Sequence, residues 1–353
     1  MKIKGNRFLI TGGAGLMGSH IADRLLAGGA SEIILLDNFL RGNMHNIIGA
    51  LSDSRVSLVR GDIRDLELLR ELATGIDGIF HMAAIRITAC ADNPREAMEV
   101  MLNGTHNVLQ AAVEKDVQRL LYASSASVYG LADVFPTSEN HHPYNNRTYY
   151  GAAKIAGEGM VRSFAEMYSL NYIATRYFNV YGPRMDIDGK YTEVLIRWLD
   201  KLAAGERPAI FGDGLQTMDM IYIDDVTDAN ILAMESDVTD QVFNVASGVE
   251  TSLLGLLQTL LKVTGSDLKP EFLPERSVNP VPRRLADTSK AEEMLGFRAR
   301  VNLEDGLEKL VTWRKEALLR SNSFEGGRIV ADSVNLDLLK ARAVTATMGD
   351  ETV

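Results

Sequence analysis

The chain is 353 residues long, 46% hydrophobic and 24% charged, with a formal net charge of −10. An acidic balance of this size provides no general field for nucleic acid or an anionic membrane, and the single cysteine, Cys90, excludes an internal disulfide framework. No apolar run approaches the roughly 20 residues needed to span a bilayer. The start, Met1-Lys2-Ile3-Lys4-Gly5, carries no signal-peptide pattern, so a cytoplasmic location is expected.

In chain order, the apolar run Phe8 to Ile10 ends in Thr11-Gly12-Gly13-Ala14-Gly15-Leu16-Met17-Gly18 and passes into a helical pattern from Ile21 to Leu26. That reads as strand, tight turn, helix. Gly12, Gly15 and Gly18 let the backbone approach a diphosphate, and the helix start offers free N–H groups and a partial positive charge. A second strand, Glu32 to Leu36, ends in Asp37, followed by Asn38. A carboxylate there accepts both hydrogen bonds of an adenosine ribose diol and repels a 2′-phosphate, so NAD is expected rather than NADP.

A polar turn (Asn38 to Asn43) leads to a β-patterned segment, Arg55 to Arg60, and then to Gly61-Asp62-Ile63-Arg64-Asp65, with Asp65 suited to cap a helix from Leu66 to Ala73. Ile76 to Ala84 reads as a strand entering a turn of small residues that includes Ala83 and Ala84. Pro94 to Lys115 is a helix, Val117 to Ser124 a strand, Tyr149 to Tyr168 a long helix and Asn171 to Tyr177 a strand. The alternation predicts an α/β fold, a Rossmann-type doubly wound parallel sheet. From Asn179 glycine and proline become frequent around a helix from Tyr191 to Ala204, as expected of a smaller, loop-rich C-terminal substrate domain. A strand over Met220 to Ile223, a helix from Asp225 to Met234, a strand from Gln241 to Val245, and helices at Ser252 to Thr264, Ser289 to Leu295 and Leu303 to Leu319 complete the pattern. The expected division is 1–177 plus about 219–250 for the NAD-binding domain and 178–218 plus 251–319 for the substrate domain, with 320–353 a weakly patterned tail.

Two hydroxyl-bearing stretches carry the chemistry. Ser124-Ser125-Ala126-Ser127 falls where a parallel strand ends, the edge at which open α/β sheets bind ligands. Tyr150 and Lys154 stand one helical turn apart, and no other tyrosine in the chain is followed by lysine at that spacing. A phenol with its ordinary pKa near 10 is a poor base, and a nearby cation favours the phenolate.

Gly12-x-x-Gly15-x-x-Gly18, Asp37, Asp62-Ile63, His81-Met82-Ala83-Ala84, Ser125, Tyr150-x-x-x-Lys154, Arg176 to Arg184 and Ala286 to Lys290 together resemble the extended short-chain dehydrogenase/reductase family over roughly residues 5–318. The pattern is most similar to nucleotide-sugar 4-epimerases of the UDP-glucose or UDP-uronate type. The resemblance implies that Tyr150 takes the proton of the sugar O4, that Ser125 hydrogen-bonds the reacting oxygen, and that Lys154 lowers the Tyr150 pKa and holds the nicotinamide ribose. It implies cofactor contacts from Gly12, Gly15, Leu16, Met17, Gly18, Asp37, Asn38, Asp62, Ile63, Ala83, Ala84, Tyr150, Lys154, Tyr177 and Phe178. Substrate contacts are implied for Ser125, Ser127, Asn179 and Arg276, with Arg86 a candidate reader of a C6 carboxylate or acetamido group.

Related 4,6-dehydratases carry Asp-Glu directly after the active-site hydroxyl, and UDP-glucuronate decarboxylases a Glu at the second of those positions. Here Ala126 and Ser127 stand there, which disfavours dehydration and decarboxylation. The family's diphosphate-clamping arginine is replaced by Met218 in Gly212-Asp213-Gly214-Leu215-Gln216-Thr217-Met218-Asp219, and a thioether cannot make a charge-assisted bidentate contact. Arg276, Arg283, Arg284 and Arg184 are the candidate substitutes. The usual asparagine three residues before Gly-Thr is Met101. No histidine spacing suggests a metal. The resemblance also implies a homodimer built through a four-helix bundle of Pro94 to Lys115 and Tyr149 to Tyr168. The alternatives are a nucleotide-sugar 4-keto reductase and a non-catalytic NAD-binding sensor.

Overall fold

The computed structural model describes residues 1–187, 193–275 and 281–324. The first half alternates as expected: β1 (Arg7–Thr11), α1 (Leu16–Ala27), β2 (Glu32–Asp37), α2 (Met44–Leu51), β3 (Val56–Arg60), α3 (Leu66–Leu72), β4 (Gly78–His81), α4 (Ile87–Asp92), α5 (Pro94–Met98), α6 (Thr105–Glu114), β5 (Arg119–Ser125), α7 (Tyr149–Tyr168) and β6 (Tyr172–Tyr177). β7 (Asn179–Tyr181), α8 (Val194–Ala203), β8 (Ala209–Phe211), β9 (Thr217–Tyr222), α9 (Ile223–Glu235), β10 (Gln241–Val245), β11 (Glu250–Ser252), α10 (Leu253–Thr264), β12 (Glu271–Leu273), α11 (Ser289–Leu295) and α12 (Leu303–Phe324) follow. The chain divides into a unit over Met1–Thr312 and a second one of which Trp313 to Phe324 are described.

Seven parallel strands form the main sheet in the order β10-β6-β5-β4-β1-β2-β3. The chain runs outward from β1 to β3 and then crosses back to β4, so the topological switch lies between β1 and β4, where open sheets of this kind hold ligands. The strands are nearly continuous apolar runs because helices cover both faces; Leu9, Ile79, Leu120 and Tyr172 are fully or almost fully buried in one core. Local signals account for several helix starts: Asp65 accepts from the Leu68 N–H, Thr148 from Gly151 and Ser252 from Gly255.

Several elements depart from expectation. Helix α2 follows directly on the polar turn, started by Asn43 accepting from the His45 N–H. The helix expected over Pro94 to Lys115 is broken by a π-helical turn, Glu99–Gly104, where the Thr105 hydroxyl donates to the Met101 carbonyl and so competes for a backbone acceptor. The strand at Met220 lies outside the main sheet, as β9, between β7 and β11. In the predicted Tyr191 to Ala204 helix the described part begins at Val194, and α12 continues past Leu319 into the expected tail as far as Phe324. Among the described residues no helix is long and apolar enough to cross a membrane.

Candidate active site

The carboxyl ends of β1, β2, β4, β5 and β6 bring the expected residues together. After β1, Gly12 adopts φ +70°, and a Cβ there would lie 2.9 Å from the Ala83 nitrogen; at Gly18 a Cβ would meet the Gly13 Cα at 2.8 Å and the Gly12 carbonyl. The glycines therefore hold the turn against the Ala83-Ala84 segment and against itself. Helix α1, with Leu16, Met17 and Gly18 in its first turn, has Gly15 at its N-cap and no side chain capping it, so its opening N–H groups face the turn.

The acidic rim sits beside that turn. The Asp37 carboxylate is buried and accepts from the Ala14 N–H at 2.9 Å and the Phe39 N–H at 2.8 Å; burial pushes its pKa up against those two bonds. Asn38 donates to Asp62 at 2.9 Å, and Arg64 holds the Asp62 carboxyl down at about 2. Ile63, next to Asp62, is buried. Ala83 is fixed through a buried relay in which its N–H donates to the Thr11 hydroxyl (3.3 Å), which in turn lies 2.7 Å from His81 Nδ1. His81 Nε2 lies 3.1 Å from the Thr105 hydroxyl, itself a donor to Met101, so the imidazole is neutral with its proton on Nε2; burial holds its pKa at about 3.

Ser125, Tyr150 and Lys154 meet at the end of β5. Ser125 Oγ accepts from the Ser127 N–H at 3.1 Å, and the Ser125 hydroxyl acts on the neighbouring Tyr150 phenol to draw its pKa down. Lys154 is buried, donates to the Ala123 carbonyl at 2.6 Å, and lies 5.1 Å from the Tyr122 ring centre and 5.8 Å from that of Tyr150. Helix α7, which carries the pair, is fastened to β6 by the bidentate Arg176–Glu158 ion pair at 2.8 and 2.7 Å. One expectation needs correction. Burial pushes the Tyr150 phenol up to about 12; the cations that act against this are Arg41 and Arg284, while Lys154 is itself pushed down by burial to about 8. The spacing of Tyr150 and Lys154 hid this because burial, not proximity along one helix, dominates both groups.

Tyr177 and Phe178 are buried at the end of β6, and the Tyr177 hydroxyl is already engaged as a donor to Asn230 at 2.6 Å. Asn179 follows, and its side-chain oxygen is buried with no hydrogen-bond partner among the described residues. Arg86 is one-tenth exposed and pairs with Asp186 at 3.6 Å and Glu193 at 3.3 Å. Arg276 lies outside the described residues. Cys90 is buried, and burial pushes its thiol up to about 11, so it is no nucleophile.

The profile of the NAD dependent epimerase/dehydratase family matches residues 8–246. The chain belongs to that family. It is 37% identical to a UDP-glucose 4-epimerase of Mycolicibacterium smegmatis over 86% of this chain and 97% of that one. A crystal structure of the Thermotoga maritima UDP-glucose 4-epimerase with UDP-glucose superposes with a TM-score of 0.83 at 32% identity, covering 88% of this chain and 99% of that one. The Bacillus cereus UDP-glucuronic acid 4-epimerase, in complex with UDP-glucuronic acid and NAD, gives 0.81 at 29% identity, covering 88% and 99%. The glycine cradle, the uncapped start of α1 and the buried Asp37 fit the family's dinucleotide.

As a family member, this epimerase/dehydratase relative stands out in its cations. Of the four arginines that could replace the one lost at Met218, Arg184 is paired with Asp23 at 2.6 Å and Arg283 with Glu250 at 2.7 Å, whereas the Arg284 side chain forms no hydrogen bond or ion pair among the described residues. Folding brings Asp133, His141 and His142 together, with one ligand atom from each within 4.8 Å of the others. His141 Nε2 lies 2.7 Å from Asp133 Oδ1.

Proposed function

We propose that this protein is an NAD-dependent nucleotide-sugar epimerase that inverts C4 of a UDP-sugar through a transient 4-keto sugar. The observation that carries the reading is the meeting of Ser125, Tyr150 and Lys154 beside the glycine cradle at the switch point, with Ala126 and Ser127, which cannot serve as acid or base, next in line. Gly12, Gly15, Leu16, Met17, Gly18, Asp37, Asn38, Asp62, Ile63, Ala83, Ala84, Tyr177 and Phe178 would hold NAD, which when bound supplies a two-electron acceptor that the reaction regenerates. Tyr150 takes the proton from the sugar O4 and later gives it back. Ser125, beside the Tyr150 phenol, steadies the reacting oxygen, and Lys154 adds positive charge and a ribose contact. The buried Asn179 oxygen, unpartnered among the described residues, and Ser127 serve the substrate side.

The test is incubation with a panel of UDP-, GDP- and dTDP-sugars without added NAD, watched by NMR. Inversion at C4 of a UDP-sugar is expected. Net reduction that depends on added NADPH would mark a 4-keto reductase, and bound NAD with no turnover of any sugar would mark a sensor; either overturns the reading.

The same reading includes a cytoplasmic homodimer. Its support is on α7, where Ala152, Ala156, Gly159 and Ser163 form an exposed stripe of small residues at helical spacing, which lets a second helix approach closely. Light scattering at micromolar concentration should give twice the monomer mass; monomer alone would refute it.

A further inference from the structure

We propose that Asp133, His141 and His142 form a binding site for a divalent transition metal such as zinc, which clasps the loop between β5 and α7. The proposal is independent of the epimerase reading, since the site uses neither the cofactor nor the sugar.

The three side chains come from the two legs of one loop. Residues 130–146 leave the end of β5 and return to α7, and the legs are joined at their base, where the Leu131 N–H donates to the Asn145 carbonyl at 3.2 Å. Gly130, at φ +60°, permits this approach, because a Cβ there would collide with the Asn145 carbonyl. Asp133 stands on the outgoing leg and the two histidines on the returning one, with one ligand atom from each within 4.8 Å of the others. The carboxylate turns Oδ1 to His141 Nε2 at 2.7 Å and Oδ2 to His142 Nε2 at 3.6 Å. Zinc bonds of about 2.0–2.2 Å put neighbouring ligands of a tetrahedral centre roughly 3.4 Å apart, and the two distances bracket that value.

His141 is held in place by groups outside the cluster. Its side chain is 4% exposed and stands edge-on to the Tyr129 ring, with centres 5.9 Å apart. Tyr129 is itself fixed, donating to Asn244 at 2.6 Å and accepting from Arg176 at 3.0 Å. His141 Nδ1 lies 2.8 Å from the His142 carbonyl, which can only accept, so Nδ1 bears the ring proton. Nε2 is then the lone-pair nitrogen of the neutral ring, and the Asp133 N–H donates to it at 3.2 Å. The same nitrogen also faces a carboxylate oxygen, a second acceptor, at 2.7 Å. Two acceptors that close repel unless a positive centre lies between them, either a second ring proton or a metal ion.

A proton would serve His141 and Asp133 alone. A metal ion also engages His142, whose Nε2 is turned to the same carboxylate beyond hydrogen-bond distance. An Nδ1–H bonded to a backbone carbonyl is, moreover, how metal-binding histidines are commonly oriented. His142 is steadied by stacking on Tyr144, with ring centres 5.3 Å apart. Two imidazoles with one carboxylate suit zinc, cobalt or nickel rather than magnesium or calcium, which take oxygen ligands. Asp133 and His142 are 60% and 42% exposed, so the ion has an entry path and water completes its coordination. The returning leg runs into Thr148, which starts α7 by accepting from the Gly151 N–H at 3.0 Å, two residues before Tyr150. A metal across the loop therefore stiffens the approach to the helix that carries Tyr150.

Cobalt titration of the NAD-loaded protein after chelator treatment, followed by the visible ligand-field bands, tests the site. One cobalt ion per chain should bind, zinc should displace it, and excess magnesium should not. Asp133→Asn and His142→Ala, both at exposed positions, should each weaken binding about 10- to 100-fold or more, since losing even a partner of a metal ligand costs that much. His45→Ala, which removes an exposed histidine elsewhere, should leave the affinity unchanged. With zinc at about 100 times Kd, the melting temperature should rise by several degrees in the wild type and in neither ligand variant. Amide exchange across residues 131–146 should slow at the same time. Absence of cobalt binding, equal competition by magnesium, or binding that survives both ligand variants overturns the proposal. So does bound zinc that leaves exchange in this loop unchanged, which would place the metal elsewhere. None of these readouts involves a sugar, so their failure leaves the C4-inversion test untouched.

Discussion

Replacing Tyr150 by phenylalanine should lower turnover of a nucleotide sugar by about 1,000-fold or more while leaving NAD retention unchanged. A positioned acid–base group contributes roughly 100- to 10,000-fold, and this one both receives the O4 proton and returns it. The ring is kept, so the packing of α7 on β5 stays intact, and the glycine cradle and Asp37 lie on other strands. The phenol, pushed up to about 12 by burial, is neutral at pH 7, and Ser125, Arg41 and Arg284 are the groups that draw it toward the phenolate. Stopped-assay NMR together with the absorbance of retained cofactor measures both halves. More than about a tenth of wild-type turnover in Tyr150→Phe would remove Tyr150 from the role of base.

Lys154→Met should abolish more than 99% of turnover and at the same time make the protein more stable near neutral pH. Burial pushes Lys154 from the ordinary 10.5 down to about 8. A difference of that size corresponds to about 3 kcal/mol of cost for keeping the ammonium charged. Losing the bond to the Ala123 carbonyl gives back about 1 kcal/mol. The net gain of roughly 2 kcal/mol should raise the melting temperature by several degrees. The sign follows from linkage. The folded pKa lies below the unfolded one, so the cost is fully present below about pH 8 and vanishes as pH rises toward 10.5. The stability advantage of Lys154→Met should therefore shrink between pH 7 and pH 10. A variant that melts lower at pH 7, or a difference that does not change with pH, would show that Lys154 supports the fold rather than the chemistry.

The cofactor half of the site was legible because its signals are local. Gly12, Gly15 and Gly18 lie in one turn, and Asp37 ends the next strand, so spacing alone puts them at one sheet edge. Tyr150 and Lys154 share a helix face for the same reason. Helix α2 was missed because its start depends on an asparagine cap within a run already read as turn, and the π-helical turn because Thr105 acts on a carbonyl four residues back. Neither changes the hydrophobic period that reveals a helix.

The substrate half was different. Four arginines were equal candidates for the place left by Met218, and nothing in their sequence neighbourhoods separates them. Folding separates the three that are described by partner: Arg184 meets Asp23 and Arg283 meets Glu250. The Arg284 side chain alone of these has no such partner among the described residues. The order of strands, the dinucleotide turn and the tyrosine–lysine pair are consequences of backbone period and residue spacing, which act over a few residues. Which cation is neutralised and which is not is a matter of charges brought within a few ångströms from positions up to 161 residues apart, and only the packed chain decides that.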